Sequence, residues 1–258
     1  MARALLLDID GVLTVSWQPL TGAADTLSWL DANQIAFRLV TNTSSRSRNQ
    51  IARGLAAGGL PVDPSRILTA VSSAARYLCD RYPGAPCFVV NEGPLDDDLD
   101  GVACTGPEDA QVVLLGGAGP SIDYRTLDDV FRLADAGVPV VALHRNTRFQ
   151  TAHGPALDMG AFVIGLEAAA AVEVTIVGKP APAFFRAALD DLGVTAERAV
   201  VVGDDVVADV LGGQAVGMTG VLVRTGKFRP SDLGGDGPGP DHVIDSIADL
   251  PDLLGSLG

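Results

Sequence analysis

Ala4-Leu5-Leu6-Leu7-Asp8-Ile9-Asp10-Gly11-Val12-Leu13 is the stretch on which the reading of the fold turns. The apolar run Ala4–Leu7 reads as a strand, and two carboxylates follow its end one residue apart. A strand that finishes on such a pair can present a nucleophile and an acid–base partner to one phosphate. The pair is common among proteins. Three later segments give it weight: Thr41-Asn42, Lys179-Pro180 and Gly203-Asp204-Asp205 with Asp209 beyond.

Working outward, short apolar runs alternate with segments of helical period, the βαβ signature of a largely parallel sheet and an α/β fold. Strands are expected at Ala4–Leu7, Ala36–Val40, Cys87–Val90, Val112–Leu115, Val138–Leu143, Val174–Val177, Ala199–Val202 and Gly220–Val223. Helices are expected at Ala23–Ala32, Arg46–Ala57, Pro182–Leu192 and Val206–Val216, with a short closing helix over Ile244–Leu254. Gly234–Pro240 reads as a mobile surface loop, because its glycines and prolines defeat both helix and strand. Tyr82-Pro83-Gly84 suits an exit from one domain, and a return near Val172-Glu173 leaves 83–173 as an inserted domain. Residues 1–82 and 174–258 then form the main one.

The chain has 258 residues, 47% of them hydrophobic, which is enough for a sizeable core. Its 18 basic and 32 acidic residues give a net charge of −14. A nucleic-acid partner is excluded on that balance, since backbone phosphates require a basic face. Cys79, Cys87 and Cys104 lack metal-ligand spacing and read as buried or idle thiols. No stretch approaches the ~20 apolar residues of a membrane span, and Asp8 arrives too early for a secretory leader. The cytoplasm is the expected compartment.

In an open parallel sheet, ligands bind beyond the carboxyl ends of the strands. Asp8 and Asp10, Thr41-Asn42, Lys179 and Asp204 all follow apolar runs, so one sheet edge is expected to collect them. Asp8 is the expected nucleophile, ionised at its ordinary value of ~3.9. Asp10 would protonate the leaving oxygen and then deprotonate water. Two carboxylates ~4 Å apart repel by ~4 kcal/mol at an effective dielectric of 20, so this acidic site demands a cation. Mg²⁺ suits oxygen ligands, here Asp8, Asp204 and the backbone carbonyl of Asp10. Lys179, the Thr41 hydroxyl and the Asn42 N–H would hold the phosphoryl oxygens, while Asp205 and Asp209 would orient loop or water. Each motif also suits an ordinary turn or helix cap. Their joint occurrence, in this order and after strands, selects the chemical reading.

Rival motifs fail on the letters. A calcium loop from Asp8 would need oxygen ligands where Val12 and Pro19 stand. Gly116-Gly117-Ala118-Gly119 lacks the third glycine of a dinucleotide loop, having Ile122 there. A phosphate-binding loop ending at Gly178-Lys179 would need glycine at Glu173 and Ser or Thr at Pro180.

Together, Asp8-x-Asp10-Gly11, Thr41-Asn42, Lys179-Pro180 and Gly203-Asp204-x4-Asp209 resemble the four signature motifs of the haloacid dehalogenase superfamily of phosphohydrolases. The long insertion and Pro19-Leu20-Thr21-Gly22-Ala23 are similar to the NagD-like subgroup with an α/β cap. Gly178-Lys179-Pro180-x4-Phe185 and Arg224-Thr225-Gly226-Lys227-Phe228-Arg229 resemble its phospholysine phosphohistidine inorganic pyrophosphate phosphatase branch. The resemblance implies a Rossmann-like core, a closing cap, Mg²⁺, an aspartyl-phosphate intermediate on Asp8 and, as relatives often do, dimerisation through the cap.

Where relatives carry a basic and aromatic stretch, this chain has His144-Arg145-Asn146-Thr147-Arg148-Phe149-Gln150, so no relative's substrate transfers. His144, Arg145 and Asn146 are nonetheless the candidates to face substrate. His153 and His242 read as surface residues, and Arg224, Lys227 and Arg229 as either a positive field at the site or partners of surface acids. Residues 83–173 contain no lysine, which leaves Schiff-base phosphonate chemistry unsupported. The expected function is a Mg²⁺-dependent phosphohydrolase acting on a small phosphorylated compound. The alternatives are hydrolysis of P–N bonds or pyrophosphate by the same core, and a catalytically idle binding protein.

Overall fold

The computed structural model describes residues 4–93, 95–151, 154–234 and 237–257. His153 and the Gly235-Asp236 centre of the expected loop lie outside them. The chain divides into two compact units: Met1–Thr41, Arg48–Leu68 and Lys179–Gly258 form one, Asn42–Ser47 and Thr69–Gly178 the other.

The first unit is built on a six-stranded sheet in the order His242–Ile244, Thr219–Val223, Ala199–Gly203, Ala4–Asp8, Ala36–Thr41, Ile67–Thr69. Ala4–Asp8 lies in its interior, parallel to both neighbours, with Leu7 opposite Val202 and Asp8 opposite Val40. Every residue of this strand is buried, as expected where helices cover both faces. Period-two alternation divides its side chains. Leu5 and Leu7 meet Leu30, Ile51 and Leu55 on one face, while Leu6 meets Phe184, Phe185 and Leu189 on the other. Ala23–Ala32, Arg48–Ala57 and Leu250–Ser256 supply the first layer, and Pro182–Leu192 the second. The sheet's carboxyl edge therefore lies between two apolar layers.

The second unit carries its own five-stranded parallel sheet, in the order Thr175–Ile176, Val140–Ala142, Val112–Leu115, Cys87–Val90, Cys104–Thr105. Ala70–Arg81 packs on one face, and Tyr124–Asp135 and Met159–Ala170 on the other. The fold is α/β, with a Rossmann-like parallel core and a second, smaller α/β unit.

Three expectations are corrected. Val174–Val177 was assigned to the sheet that carries the other motifs, but Thr175–Ile176 pairs with Val140–Ala142 in the second unit's sheet. Ile244 ends an edge strand, and the closing helix spans Leu250–Ser256 instead. The segment after Asp205 is a wide π-type turn, Val206–Leu211, followed by Gly212–Gln214, where two glycines weaken a regular helix. Among the described residues, no helix is long and apolar enough to cross a membrane.

Candidate active site

Four charged side chains meet at the carboxyl edge of the first unit's sheet. Asp8 ends its strand, Asp204 follows the adjacent strand Ala199–Gly203, and Asp209 stands on the wide turn beyond. Lys179 completes the group, and all four are at most 5% exposed. Its Nζ donates to Asp8 Oδ1 at 2.7 Å and to Asp209 Oδ1 at 2.5 Å. One oxygen from each of Asp8, Asp204 and Asp209 falls within 4.8 Å of the others. Three buried carboxylates against one buried ammonium leave net negative charge where water cannot screen it.

Asp204 shows where that charge lacks compensation. Its Oδ2 accepts from the backbone N–H of Lys227 at 2.7 Å, but its buried Oδ1 has no hydrogen-bond partner among the described residues. Two glycines permit this burial. A Cβ on Gly11 would stand 1.9 Å from Asp204 Oδ2, and one on Gly226 would stand 2.1 Å from it. Both glycines also adopt positive φ, 88° and 65°. The Thr225 hydroxyl donates to Gly11 O and ties the two turns together. A hard divalent cation fits this donor set: clustered carboxylate oxygens, one of them orphaned, and no room for a larger side chain.

The titration behaviour follows from the same burial. Burial pushes Asp204 up to about 6 against the Lys227 N–H and ammonium. Burial likewise raises Asp209 to about 6 against the pull of Lys179. Asp8 is raised by burial, with Lys179 opposing and Asp204 reinforcing. For Lys179, burial works downward, yet Asp209 and Asp8 hold it well above the ordinary lysine value.

Thr41 ends the strand beside Asp8 and is buried. Asp10 is half-buried, two residues past the end of Ala4–Asp8, in a turn where Gly11 N donates to Thr14 O at 2.7 Å. Asp205 accepts from Val207 N and Ala208 N, so it caps the wide turn, and Lys227 Nζ stands 3.5 Å from its Oδ2. Asn42, His144, Arg145 and Asn146 belong to the second unit. There His144 is buried, its Nε2 3.8 Å from Asp158 Oδ2. Arg145 forks onto Glu167, with Nη1 to Oε1 at 2.9 Å. Asn146 is exposed.

A family model described as haloacid dehalogenase-like hydrolase matches residues 5–105, and a HAD-hydrolase-like one matches 176–250. The human haloacid dehalogenase-like hydrolase domain-containing protein 2 is 34% identical over 252 residues, covering 95% of each chain. This chain belongs to the haloacid dehalogenase-like hydrolases. Human phospholysine phosphohistidine inorganic pyrophosphate phosphatase is 33% identical over 98% of this chain and 94% of its own. Among solved structures, the p-nitrophenyl phosphatase from Archaeoglobus fulgidus superposes with a TM-score of 0.91 at 29% identity, over 98% of this chain and 99% of its own. NagD from E. coli K-12 gives 0.88 at 27%, over 96% and 97%. As a hydrolase of this family the chain is an enzyme.

Two features of this hydrolase's site escaped the sequence. Asp209 was expected only to orient loop or water, yet it pairs directly with Lys179. Thr225-Gly226-Lys227 frames Asp204, a role that only its place after a core strand hinted at. Of the three cations there, Lys227 stands at the cluster, and Arg229 lines a pocket with Asp204, Asp205 and Lys227. Arg224 pairs with Asp245 at the surface at 2.6 Å.

Proposed function

We propose that this hydrolase is a Mg²⁺-dependent phosphatase acting on small phosphorylated compounds through a covalent intermediate on Asp8. The observation that carries the reading is Lys179 bridging Asp8 and Asp209 beside the orphaned Asp204 Oδ1. Relatives named p-nitrophenyl phosphatase and phospholysine phosphohistidine inorganic pyrophosphate phosphatase support the reaction class.

In this mechanism an Asp8 carboxylate oxygen attacks phosphorus, and Asp10 protonates the departing oxygen. Asp10 then takes a proton from water, which displaces Asp8 and releases inorganic phosphate. Lys179 aims the Asp8 carboxylate and offsets charge on the phosphoryl oxygens. The Thr41 hydroxyl and Asn42 N–H are assigned to those oxygens as well. Asp8, Asp204 and the Asp10 carbonyl would hold Mg²⁺, with Asp205 and Asp209 supporting them. When bound, the ion supplies positive charge for the phosphoryl group. The catalytic role expected of 1–82 and 174–258 is assigned to the first unit, and the cap role expected of 83–173 to the second, with His144, Arg145 and Asn146 as its specificity candidates.

A second reading keeps the same residues but breaks a P–N or anhydride bond. The 33% identical human relative favours it by name. Incubating the purified protein and Mg²⁺ with phosphate monoesters, phosphoramidates and pyrophosphate separates the two. Phosphate release should cease with EDTA and return with Mg²⁺. Asp8→Asn should lower turnover by roughly four orders of magnitude or more with circular dichroism unchanged. A folded protein that releases phosphate from none of these compounds would refute both readings.

A further inference from the structure

All three cysteines lie in the second unit, and its sheet brings two of them together. Cys87 opens the strand Cys87–Val90 and Cys104 opens the edge strand Cys104–Thr105; they are register partners in a parallel ladder. The Cys87 N–H donates to Ala103 O at 2.7 Å, which ties the two strands at this point. Adjacent strands run about 4.8 Å apart, and register partners face the same side of the pleat. That separation falls within the roughly 4.4–6.8 Å between α-carbons that a disulfide spans.

The shared side is covered by Leu95 and Leu99. Cys87 packs with both in one apolar cluster. Cys104 lines an open cavity of about 330 Å³ with Val89, Leu95 and Leu99. Cys87 is buried and Cys104 exposed, so one thiol of the pair is reachable from solvent and the other is not.

We propose that Cys87 and Cys104 form a reversible disulfide that staples the edge strand to the second unit's sheet. The oxidant is a small disulfide of the oxidised-glutathione class. The Cys104 thiolate attacks one of its sulfurs, forming a mixed disulfide and expelling one glutathione thiolate. The Cys87 thiolate then attacks Cys104 Sγ; the Cys87–Cys104 bond forms, the mixed bond breaks, and the second glutathione leaves. Two protein thiols lose two protons and two electrons, and one oxidant disulfide becomes two thiols. Burial, with Cys104 beside it, pushes the Cys87 thiol up to about 12. The second step is therefore slow and quickens as pH rises.

Cys79 is the competing partner, its Sγ 3.7 Å from Asp100 O on the chain leading to Cys104. The test oxidises the full-length protein with oxidised glutathione, alkylates it, digests it without reduction and maps the peptides by mass. A Cys87–Cys104 crosslink is expected, together with a raised thermal midpoint that dithiothreitol reverses. Cys79→Ser should crosslink like the parent, Cys104→Ser should lose the crosslink, and Cys87→Ala should stop at glutathionylated Cys104. Linkage of Cys104 to Cys79 in the parent would overturn the proposal. So would Cys104 left stably glutathionylated, or all three thiols left alkylatable.

Discussion

Lys179 stands between two buried carboxylates, and removing it strands both. Lys179→Met should abolish activity and destabilise the fold by about 3–5 kcal/mol, because uncompensated buried charge is the costly outcome. Adding Asp209→Asn to that variant should restore part of the loss. Urea denaturation of the two variants measures both effects; equal stability of parent and Lys179→Met would show the ion pairs to be structurally idle. Asp10 acts on the leaving group in the proposed mechanism. Asp10→Asn should therefore slow alkyl phosphates by about 10²–10⁴-fold and p-nitrophenyl phosphate far less. Equal losses on the two substrates count against the acid role. The places of Asp8 and Asp204 at the ends of neighbouring strands were legible, because each follows an apolar run of the same sheet; Lys179 follows a run that pairs in the other sheet. The bond from Lys179 to Asp209 was not, since nothing in a spacing of 30 residues fixes a contact.

At the scale of elements, the turns after the core strands decide whether the cluster can form. Gly226→Ala would place a methyl group 2.1 Å from Asp204 Oδ2 in a left-handed backbone. We expect it to push Asp204 aside, cost about 1–3 kcal/mol and weaken Mg²⁺ activation, as read from the Mg²⁺ concentration for half-maximal activity. An unchanged Mg²⁺ dependence would mean that Asp204 does not hold the ion. The strands Cys87–Val90 and Val112–Leu115 were legible to the residue because their apolar runs are short and uninterrupted. Three helices were not anticipated. Tyr124–Asp135 carried a usable signal in its cap, Asp123, which accepts from Thr126 N at 2.8 Å. Ala70–Arg81 had one too, in the reciprocal pairing of Thr69 with Ser72. Met159–Ala170 is apolar almost all round and shows no periodic face to read.

For the whole molecule, burial of the acids makes stability depend on pH and metal together. Asp204 and Asp209 titrate at about 6 in the folded protein, against an ordinary 3.8. Between those values the folded state binds more protons than the unfolded one. Their stabilising contribution is therefore complete below about 3.8 and is lost as pH rises through about 6. A bound divalent cation favours the ionised forms and reverses that loss. At a hundred times Kd it contributes about 2.7 kcal/mol. The thermal midpoint should thus rise by about 5–10 °C with Mg²⁺ at neutral pH. The rise should shrink below pH 6, which differential scanning calorimetry at several pH values would detect. A Mg²⁺ effect that persists undiminished at low pH would place the ion elsewhere.

The linear chain settled the α/β class, the strand-end positions of Asp8, Thr41 and Asp204, and the family, because each rests on local apolar runs and short-range spacing. Folding settled which sheet receives Thr175–Ile176 and which acid meets Lys179. It also brought Gly11 and Gly226 to one carboxylate, and Cys87 opposite Cys104. Those outcomes depend on strand order and register, set by how separate apolar layers pack against each other, and no pattern along the chain encodes a distance between residues far apart in it.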